Sequence, residues 1–184
     1  MAEAAAAETG RRRTPAIVPT AWLEPVAPAA RFAFYGGAAA RWEPSFSEEA
    51  CRATVQGTRA SLWLGPDEYL LLDFAPVEPE AATLAGLEGA LAGIPHALVD
   101  ISHRQIALRV RGPHAELILR GACPLDLDAA EFPVGMCTRT VLAKAEIVLW
   151  RTREDVFHVE VWRSFAGYVA GVLAEIAAGV LPAP

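Results

Sequence analysis

The sequence predicts an α+β fold built mainly from antiparallel sheets, with helices packed on one face. Two observations carry this prediction. Candidate strands come in pairs or triplets that alternate with single helices, in the order β-β-α-β-β-α-β-β-β-α. The segments between them are too short for the repeated crossovers of a doubly wound parallel sheet, each of which needs about a dozen residues or more. Ferredoxin-like units, which combine strand pairs with helices on one side, fit this order.

The first strand pair is a predicted hairpin. Residues 61–64 and 69–74 are short apolar runs, and Gly65-Pro66-Asp67-Glu68 separates them. This tetrapeptide suits a turn because proline presets φ and glycine accepts a positive φ. One further short strand is expected at residues 31–35, within an irregular arm that contains several prolines.

A helix and a second strand pair follow. The helix is predicted over residues 77–94 because large apolar residues recur there at helical spacing, namely Leu84, Leu87, Leu91 and Ile94. Residues 97–102 form the next predicted strand. Residues 105–111 alternate with period two, which predicts a strand with one apolar face. Its inward residues are predicted to be Ile106, Leu108 and Val110, and its outward residues Gln105, Ala107, Arg109 and Arg111.

The remaining elements are a short helix, three strands and a final helix. Gly112-Pro113 opens the short helix, with proline in its first turn, and the helix runs to about residue 120. The strands are expected at residues 137–144, 146–151 and 156–162. The final helix, residues 164–178, is expected to begin with Ser164 as its cap. Its predicted core face consists of Phe165, Tyr168, Val169, Val172, Leu173 and Ile176.

The opposite face of the final helix is alanine and glycine where a lone soluble domain would be polar. The helix over residues 77–94 repeats this pattern outside its leucine stripe. Two interpretations stay open. Small residues permit close approach by a partner protein, which would make this chain a subunit, or an alanine-rich composition simply tolerates alanine on its surface.

Composition bounds the classes of function. The chain has 184 residues, is 53% hydrophobic and 21% charged, and carries a net charge of −6. These values exclude a largely disordered chain, and the acidic balance excludes a nucleic-acid binder that works by bulk electrostatics. We expect one globular domain over residues 21–180 and a disordered tail over residues 1–20. No secretory signal pattern follows the arginines of that tail, and no membrane span is expected.

Motifs for chemistry are absent from the sequence. The 3 cysteines lack metal-ligand spacing, as do the 4 histidines, so reduced thiols and a cytoplasmic location are expected. Asp100, Ser102 and His103 suggest a catalytic triad, but on a strand His103 would point away from the other two. A polar strand end is the favoured interpretation. A set of arginines could form an anion site if several share a face, although a solvated sheet edge is favoured: Arg104, Arg109, Arg111, Arg139 and Arg163.

Several runs resemble known families. Residues 99–104 and 108–115 resemble the strand-strand-helix signature of T-protein-like domains of the glycine cleavage system, which bind tetrahydrofolate. A more specific resemblance, over about residues 30–180, is to the gamma subunits of heterotetrameric sarcosine oxidases. The runs on which this resemblance rests are residues 63–72, 100–105, 121–127, 137–140 and 160–166.

The resemblance implies a non-catalytic, structural subunit with a T-protein-like, folate-binding-domain-like fold. The implied complex is an oxidoreductase acting on the CH–NH group of donors. It demethylates sarcosine to glycine, with formaldehyde or methylene-tetrahydrofolate and hydrogen peroxide as further products. Alpha, beta and delta subunits would be the partners, and they would carry FAD, FMN, NAD and zinc. No catalytic, cofactor or metal residue is then expected here, and the predicted partner contacts are Arg104, Arg139, Trp162 and Arg163.

The resemblance also permits a test of folate binding. In folate-using relatives, a strand after a Lys-Gly turn carries an acidic residue that contacts the pterin. Here the turn reads Lys144-Ala145, and the expected acidic positions are Leu149 and Trp150. Glu146 becomes the acidic candidate if the alignment shifts by one or two residues. Two alternatives stay open, a tetrahydrofolate-binding aminomethyl-transfer protein and a free-standing binding module. Leu149 and Trp150 facing a filled core would argue against the first.

Overall fold

A computed structural model describes residues 17–36, 44–75 and 79–181. The predicted disordered tail lies outside these ranges up to residue 16, and so does the start of the predicted helix at residue 77. The strands are β1 (Leu23–Pro25), β2 (Ala30–Gly36), β3 (Ala53–Gln56), β4 (Arg59–Gly65), β5 (Glu68–Asp73), β6 (His96–Asp100), β7 (Gln105–Arg111), β8 (Cys137–Leu142), β9 (Ala145–Arg153) and β10 (Val156–Trp162). The helices are α1 (Pro79–Ala90), α2 (Ala115–Arg120) and α3 (Ala166–Val180).

The strands form two five-stranded sheets. Sheet I has the order β1-β7-β10-β9-β8, and sheet II the order β3-β4-β5-β2-β6. Every pairing between neighbouring strands in them is antiparallel. The predicted α+β class with mainly antiparallel sheets is therefore confirmed.

The sheets lie face to face between their helices. Helices α2 and α3 cover the outer face of sheet I, where Ile118, Leu149 and Leu173 share one core. Helix α1 and the turn that follows it cover the outer face of sheet II through Leu87 and Leu91, which are fully buried as the predicted leucine stripe requires. Side chains of both sheets fill the layer between them, among them Leu62, Leu70, Leu72, Cys137, Val148 and Trp150. Each sheet thus has helices on one face only, because the other sheet covers its second face.

This inter-sheet layer corrects the predicted outward face of β7. Ile106, Leu108 and Val110 do pack toward the helices. Gln105 and Ala107, however, are buried as well, at 8% and 1% exposure. The prediction that they face solvent was wrong because period-two alternation identifies two faces but cannot show that a second sheet covers the polar one.

The face of α3 also differs from the prediction. Its buried residues are Ala166, Val169, Leu173 and Ala177, whereas Phe165 and Tyr168 are 42% and 40% exposed. A 3₁₀ turn, Arg163–Phe165, precedes the helix, and Phe165 rather than Ser164 occupies the cap position. Small residues on the core face let the helix lie close to sheet I, so part of the alanine pattern is core. Within the described ranges, no helix is long and apolar enough to cross a bilayer.

Smaller differences concern short elements. Strand β1 has 3 residues and β3 has 4, and neither was predicted. Strand β1 pairs with β7, and β3 pairs with β4, so both are specified by their partner strands rather than by local pattern. Helix α2 begins two residues beyond Pro113, with His114 at its cap position, so proline precedes the helix instead of occupying its first turn.

Candidate functional site

A small solvent-open cleft, with about 50 Å³ of free space, lies between the two sheets. Sheet II contributes Tyr35 and Glu68, and sheet I contributes Arg139, Glu160 and Trp162. Arg104 and Gln105, at the start of β7, complete this part of the lining. The cleft therefore brings together three of the four residues that the sequence suggested as partner contacts. We call it the inter-sheet cleft.

Arg104 and Trp162 form one wall of the inter-sheet cleft. The Arg104 guanidinium carbon lies 5.0 Å from the centre of the Trp162 ring, within the range of a cation–π contact. The register of β10 and β7 places Trp162 opposite Gln105, next to Arg104 in the chain. The Trp162 ring stays 40% exposed. An exposed tryptophan held by an arginine is a typical anchor for a protein interface.

Arg163 lies outside the inter-sheet cleft. Its backbone N–H donates to the Arg104 carbonyl at 2.9 Å, and its Nε donates to the His103 carbonyl at 3.1 Å. It lines a separate cleft on the side of the protein that includes Pro25, Pro28 and Ser102. The structure thus joins Arg104, Arg139 and Trp162 but sets Arg163 apart from them.

Arg139 belongs to an ion network at the cleft rim that joins the two sheets. Its Nη1 lies 3.2 Å from Glu68 Oε2, and Tyr35 Oη donates to Glu68 Oε1 at 2.8 Å. The hydrogen bond from Arg139 lowers the pKa of Glu68 despite partial burial. The hydrogen bond to Glu68 raises the pKa of both Tyr35 and Arg139. At neutral pH the rim therefore holds a charged Arg139–Glu68 pair with a neutral tyrosine donor.

A second ion network lies deeper between the sheets. Arg31 Nε donates to Glu160 Oε2 at 2.7 Å, and His158 Nε2 lies 2.8 Å from Glu160 Oε1. Because a carboxylate only accepts, that histidine nitrogen carries the proton. Burial opposes the charge on Glu160, but the His158 hydrogen bond and the Arg31 charge outweigh it and lower its pKa. Arg31 and His158 were not predicted from the sequence, and Glu160 had no predicted role, although charged residues within the apolar strand β10 are a signal of such a network.

The Asp100–Ser102–His103 segment is a polar strand end, as the sequence favoured. Asp100 Oδ1 accepts the backbone N–H of Ser102 at 2.8 Å. The Ser102 hydroxyl accepts the backbone N–H of Arg31, on the neighbouring strand β2 of sheet II, at 2.9 Å. The serine therefore connects the strand end to β2, which is a structural role and not that of an activated nucleophile.

The positions that would contact a pterin are filled by core residues. Leu149 is fully buried on the helix side of sheet I, and Trp150 is 7% exposed in the layer between the sheets. Both residues therefore face a filled core, which is the arrangement expected to argue against folate binding. In the part of the chain that the structure describes, no group of histidine, cysteine, aspartate or glutamate side chains could hold a metal ion. Burial raises the pKa of the Cys137 thiol to about 12, which makes it a poor nucleophile.

The sequence of the chain matches a known protein family. The model of the "Sarcosine oxidase, gamma subunit family" matches residues 47–179. The chain belongs to this family. Among curated relatives, the sarcosine oxidase subunit gamma of Corynebacterium sp. (strain U-96) is 43% identical over 105 residues, which are 57% of this chain and 49% of the relative. The subunit gamma of Arthrobacter sp. is 42% identical over 106 residues, with the same two shares. The chain thus spans about half the length of the curated relatives it matches.

Solved structures support the same assignment. The fold is similar to a chain of the heterotetrameric sarcosine oxidase from Corynebacterium sp. U-96 in complex with pyrrole 2-carboxylate. That match has a TM-score of 0.76 and 28% identity, and it covers 88% of this chain and 86% of the other. Aminomethyltransferase T of the glycine cleavage system from Bartonella henselae matches with a TM-score of 0.63 and 15% identity, over 82% of this chain and 44% of that one. The second match shows the fold alone, and it confirms the T-protein-like architecture.

Proposed function

We propose that this chain is a non-catalytic, structural subunit of a heterotetrameric sarcosine oxidase. In that complex sarcosine would be demethylated to glycine, with formaldehyde or methylene-tetrahydrofolate and hydrogen peroxide as products. Family membership supports the proposal, and the observation that carries it in this chain is the exposed Arg104–Trp162 pair. Trp162 is 40% exposed at the mouth of a cleft, and tryptophan and arginine are the residue types most enriched among the hot spots of protein interfaces.

The proposed partners are alpha, beta and delta subunits, and these would hold the cofactors FAD, FMN and NAD and the zinc ion. This chain would contribute shape and contact surface as one folded unit over residues 21–180, in the cytoplasm. Its contact residues would be Arg104, Arg139, Trp162 and Arg163. Arginine suits this role because its guanidinium pairs with a carboxylate in two parallel hydrogen bonds, and tryptophan because it buries a large apolar area.

A co-purification experiment tests the proposal. The chain is co-expressed with the three other subunits of the same enzyme and recovered through a tag on one of them. The wild-type chain is expected in the recovered complex, and Trp162→Ala combined with Arg104→Ala is expected to lower its share at least tenfold, because interface hot spots are worth about 2 kcal/mol or more each. Arg120→Ala is the matched control, since Arg120 lies on α2 away from the cleft. Recovery of the double variant at the wild-type level would contradict the assigned contacts, and absence of the wild-type chain would contradict the proposal.

A tetrahydrofolate-binding aminomethyl-transfer function is the competing candidate, and the fold similarity to aminomethyltransferase T is the observation that favours it. The buried positions of Leu149 and Trp150 oppose it. Isothermal titration of the full chain with tetrahydrofolate distinguishes the two functions. We expect no saturable heat, and saturable binding that Glu146→Gln abolishes would favour the transfer function instead.

A further inference from the structure

Another cleft, with about 370 Å³ of free space and open to solvent, lies on the sheet-II side of sheet I and is rich in arginine. Its described lining includes Arg109, Arg111 and Arg153 together with His158 and Trp150, and none of the described lining residues is acidic. In a chain whose net charge is −6, such a concentration of positive charge is unexpected. We call it the arginine cleft. Its size is that of small-molecule sites, which are about 300–1,000 Å³.

Strand register brings the arginines to one face. Arg109 and Arg111 share a face of β7, and their partners on β10 are His158 and Val156. On the other side of β10, strand β9 places Arg153 opposite Val156, so that Val156 lies between Arg111 and Arg153. Arg111 and Arg153 therefore lie two strands apart, about 10 Å between backbones, with the smaller Val156 side chain between them.

A β-bulge is what adds Arg153 to this set. The pairing of β10 with β9 shifts register between Val156 and Phe157. In a regular strand Arg153 would share the face of Arg151, whose guanidinium packs toward the helices and donates to the Leu127 and Phe132 carbonyls. Because the bulge inserts an extra residue, both Thr152 and Arg153 line the cleft. Bulges often serve to redirect a side chain at a binding site.

The charges around the arginine cleft do not cancel. Glu24 is shared, at 2.7 Å from Arg109 Nη1 and 3.4 Å from Arg111 Nη2. One carboxylate thus balances one of the two arginines. Arg153 has no ion-pair partner among the described residues, so the cleft keeps an excess of about two positive charges. Glu154 and Asp155 follow in the turn, but neither is among its described lining residues.

The deep wall of the arginine cleft is aromatic. The rings of Phe74 and Trp150 each lie 5.7 Å from the His158 ring, edge to face. The Trp150 indole N–H is buried and has no hydrogen-bond acceptor within the described part of the chain. That nitrogen is closed to solvent, so the aromatic rings offer the cleft apolar contact area rather than a hydrogen-bond donor. Arginines at the rim and aromatic rings in depth suit a small organic molecule with an anionic group.

We propose that the arginine cleft binds a small organic anion through a carboxylate or phosphate group. The guanidinium groups of Arg111 and Arg153 would hold the anionic group over Val156, and the aromatic wall would contact the rest of the ligand. This site is distinct from the inter-sheet cleft and does not depend on assembly into a complex.

Isothermal titration of the full chain in a low-chloride buffer tests the proposal, with inorganic phosphate and succinate as separate probes. We expect saturable binding of at least one probe, and the tighter one identifies which anionic group is recognised. Arg153→Gln is expected to weaken it about tenfold, the value of one charge-assisted hydrogen bond. Arg120→Gln is the matched control and should bind as wild type. Binding should also weaken as ionic strength rises.

Two results would overturn the proposal. The first is an absence of saturable binding for both probes, or equal affinity of Arg153→Gln and wild type. The second is that the Arg153→Gln chain is lost from the co-purified complex while the free wild-type chain binds neither probe. The cleft would then hold an acidic segment of a partner protein instead of a small molecule. Neither result would contradict the proposed subunit function, which the Trp162 and Arg104 variants test separately.

Discussion

Two ion networks connect the sheets, and they differ in how far water reaches them. In the deep network, Arg31 and Glu160 side chains are 3% and 0% exposed. In the rim network, Arg139 and Glu68 side chains are 41% and 19% exposed. Both pairs join an arginine to a glutamate, and access to solvent is the main difference between them. In the deep network, loss of one partner leaves a buried charge without its counter-charge, whereas at the rim water hydrates the charge that remains.

The largest expected effect is that of breaking the deep network. Arg31→Met should lower the free energy of unfolding by about 3–5 kcal/mol, because it leaves the Glu160 carboxylate buried beside His158 alone. Urea denaturation of the full chain measures this. A loss below about 1 kcal/mol would show that water already reaches Glu160 and would remove the contrast with the rim.

A double variant sharpens the origin of that loss. Arg31→Met combined with Glu160→Gln should be more stable than Arg31→Met alone, by about 1–3 kcal/mol, because no uncompensated charge remains and the glutamine carbonyl still accepts from His158. The same denaturation series measures the difference. If the double variant is the less stable of the two, lost packing rather than stranded charge explains the effect of Arg31→Met.

The pH dependence of stability separates the networks further. The pKa of Glu160 is lower in the folded chain than its ordinary 4.5, so its stabilisation is present above about pH 4.5 and is lost as the pH falls through the folded value. Wild type should therefore lose stability on acidification more steeply than Glu160→Gln does. Thermal unfolding between neutral pH and pH 3 measures the slopes, and parallel curves for the two proteins would contradict the lowered pKa. Glu68→Gln is the comparison at the rim, where the pKa is also lowered.

The smallest effect is expected at the rim. Arg139→Met should change the free energy of unfolding by less than about 1 kcal/mol, since exposed pairs gain little over hydration. Denaturation under the same conditions as for Arg31→Met checks it. A loss comparable to that of Arg31→Met would mean that the rim network stabilises the fold as much as the deep one, and would remove the contrast between them.

Pattern in the sequence predicted most of the fold but little of its polar interior. Strands such as β7 and the leucine stripe of α1 follow local periodicity, which one segment alone can reveal. The buried Gln105 and the Arg31–Glu160 pair could not be predicted this way, because Arg31 lies 129 residues from Glu160 and only the stacking of two sheets unites them. Arg104, Arg139 and Trp162 were selected by residue type, and their shared cleft emerged from the tertiary structure.

The arginine cleft is another feature that local periodicity in the sequence does not predict. The sequence could suggest that Arg109 and Arg111 share a face, since they are two residues apart on a strand. Regular alternation along β9 would place Arg153 on the face of Arg151, toward the helices. The bulge turns it instead to the face that lines the cleft. The solvated sheet edge that the sequence favoured for Arg109 and Arg111 is therefore replaced by a concave, partly aromatic surface.

Native mass spectrometry of the co-expressed subunits tests the central claim most directly. The claim is that this chain is an integral structural part of a heterotetrameric enzyme. It predicts one dominant species whose mass includes one copy of this chain, and loss of that species when the chain is omitted from the co-expression. A stable assembly of the other subunits that excludes this chain, with this chain found as a free monomer, would contradict the claim.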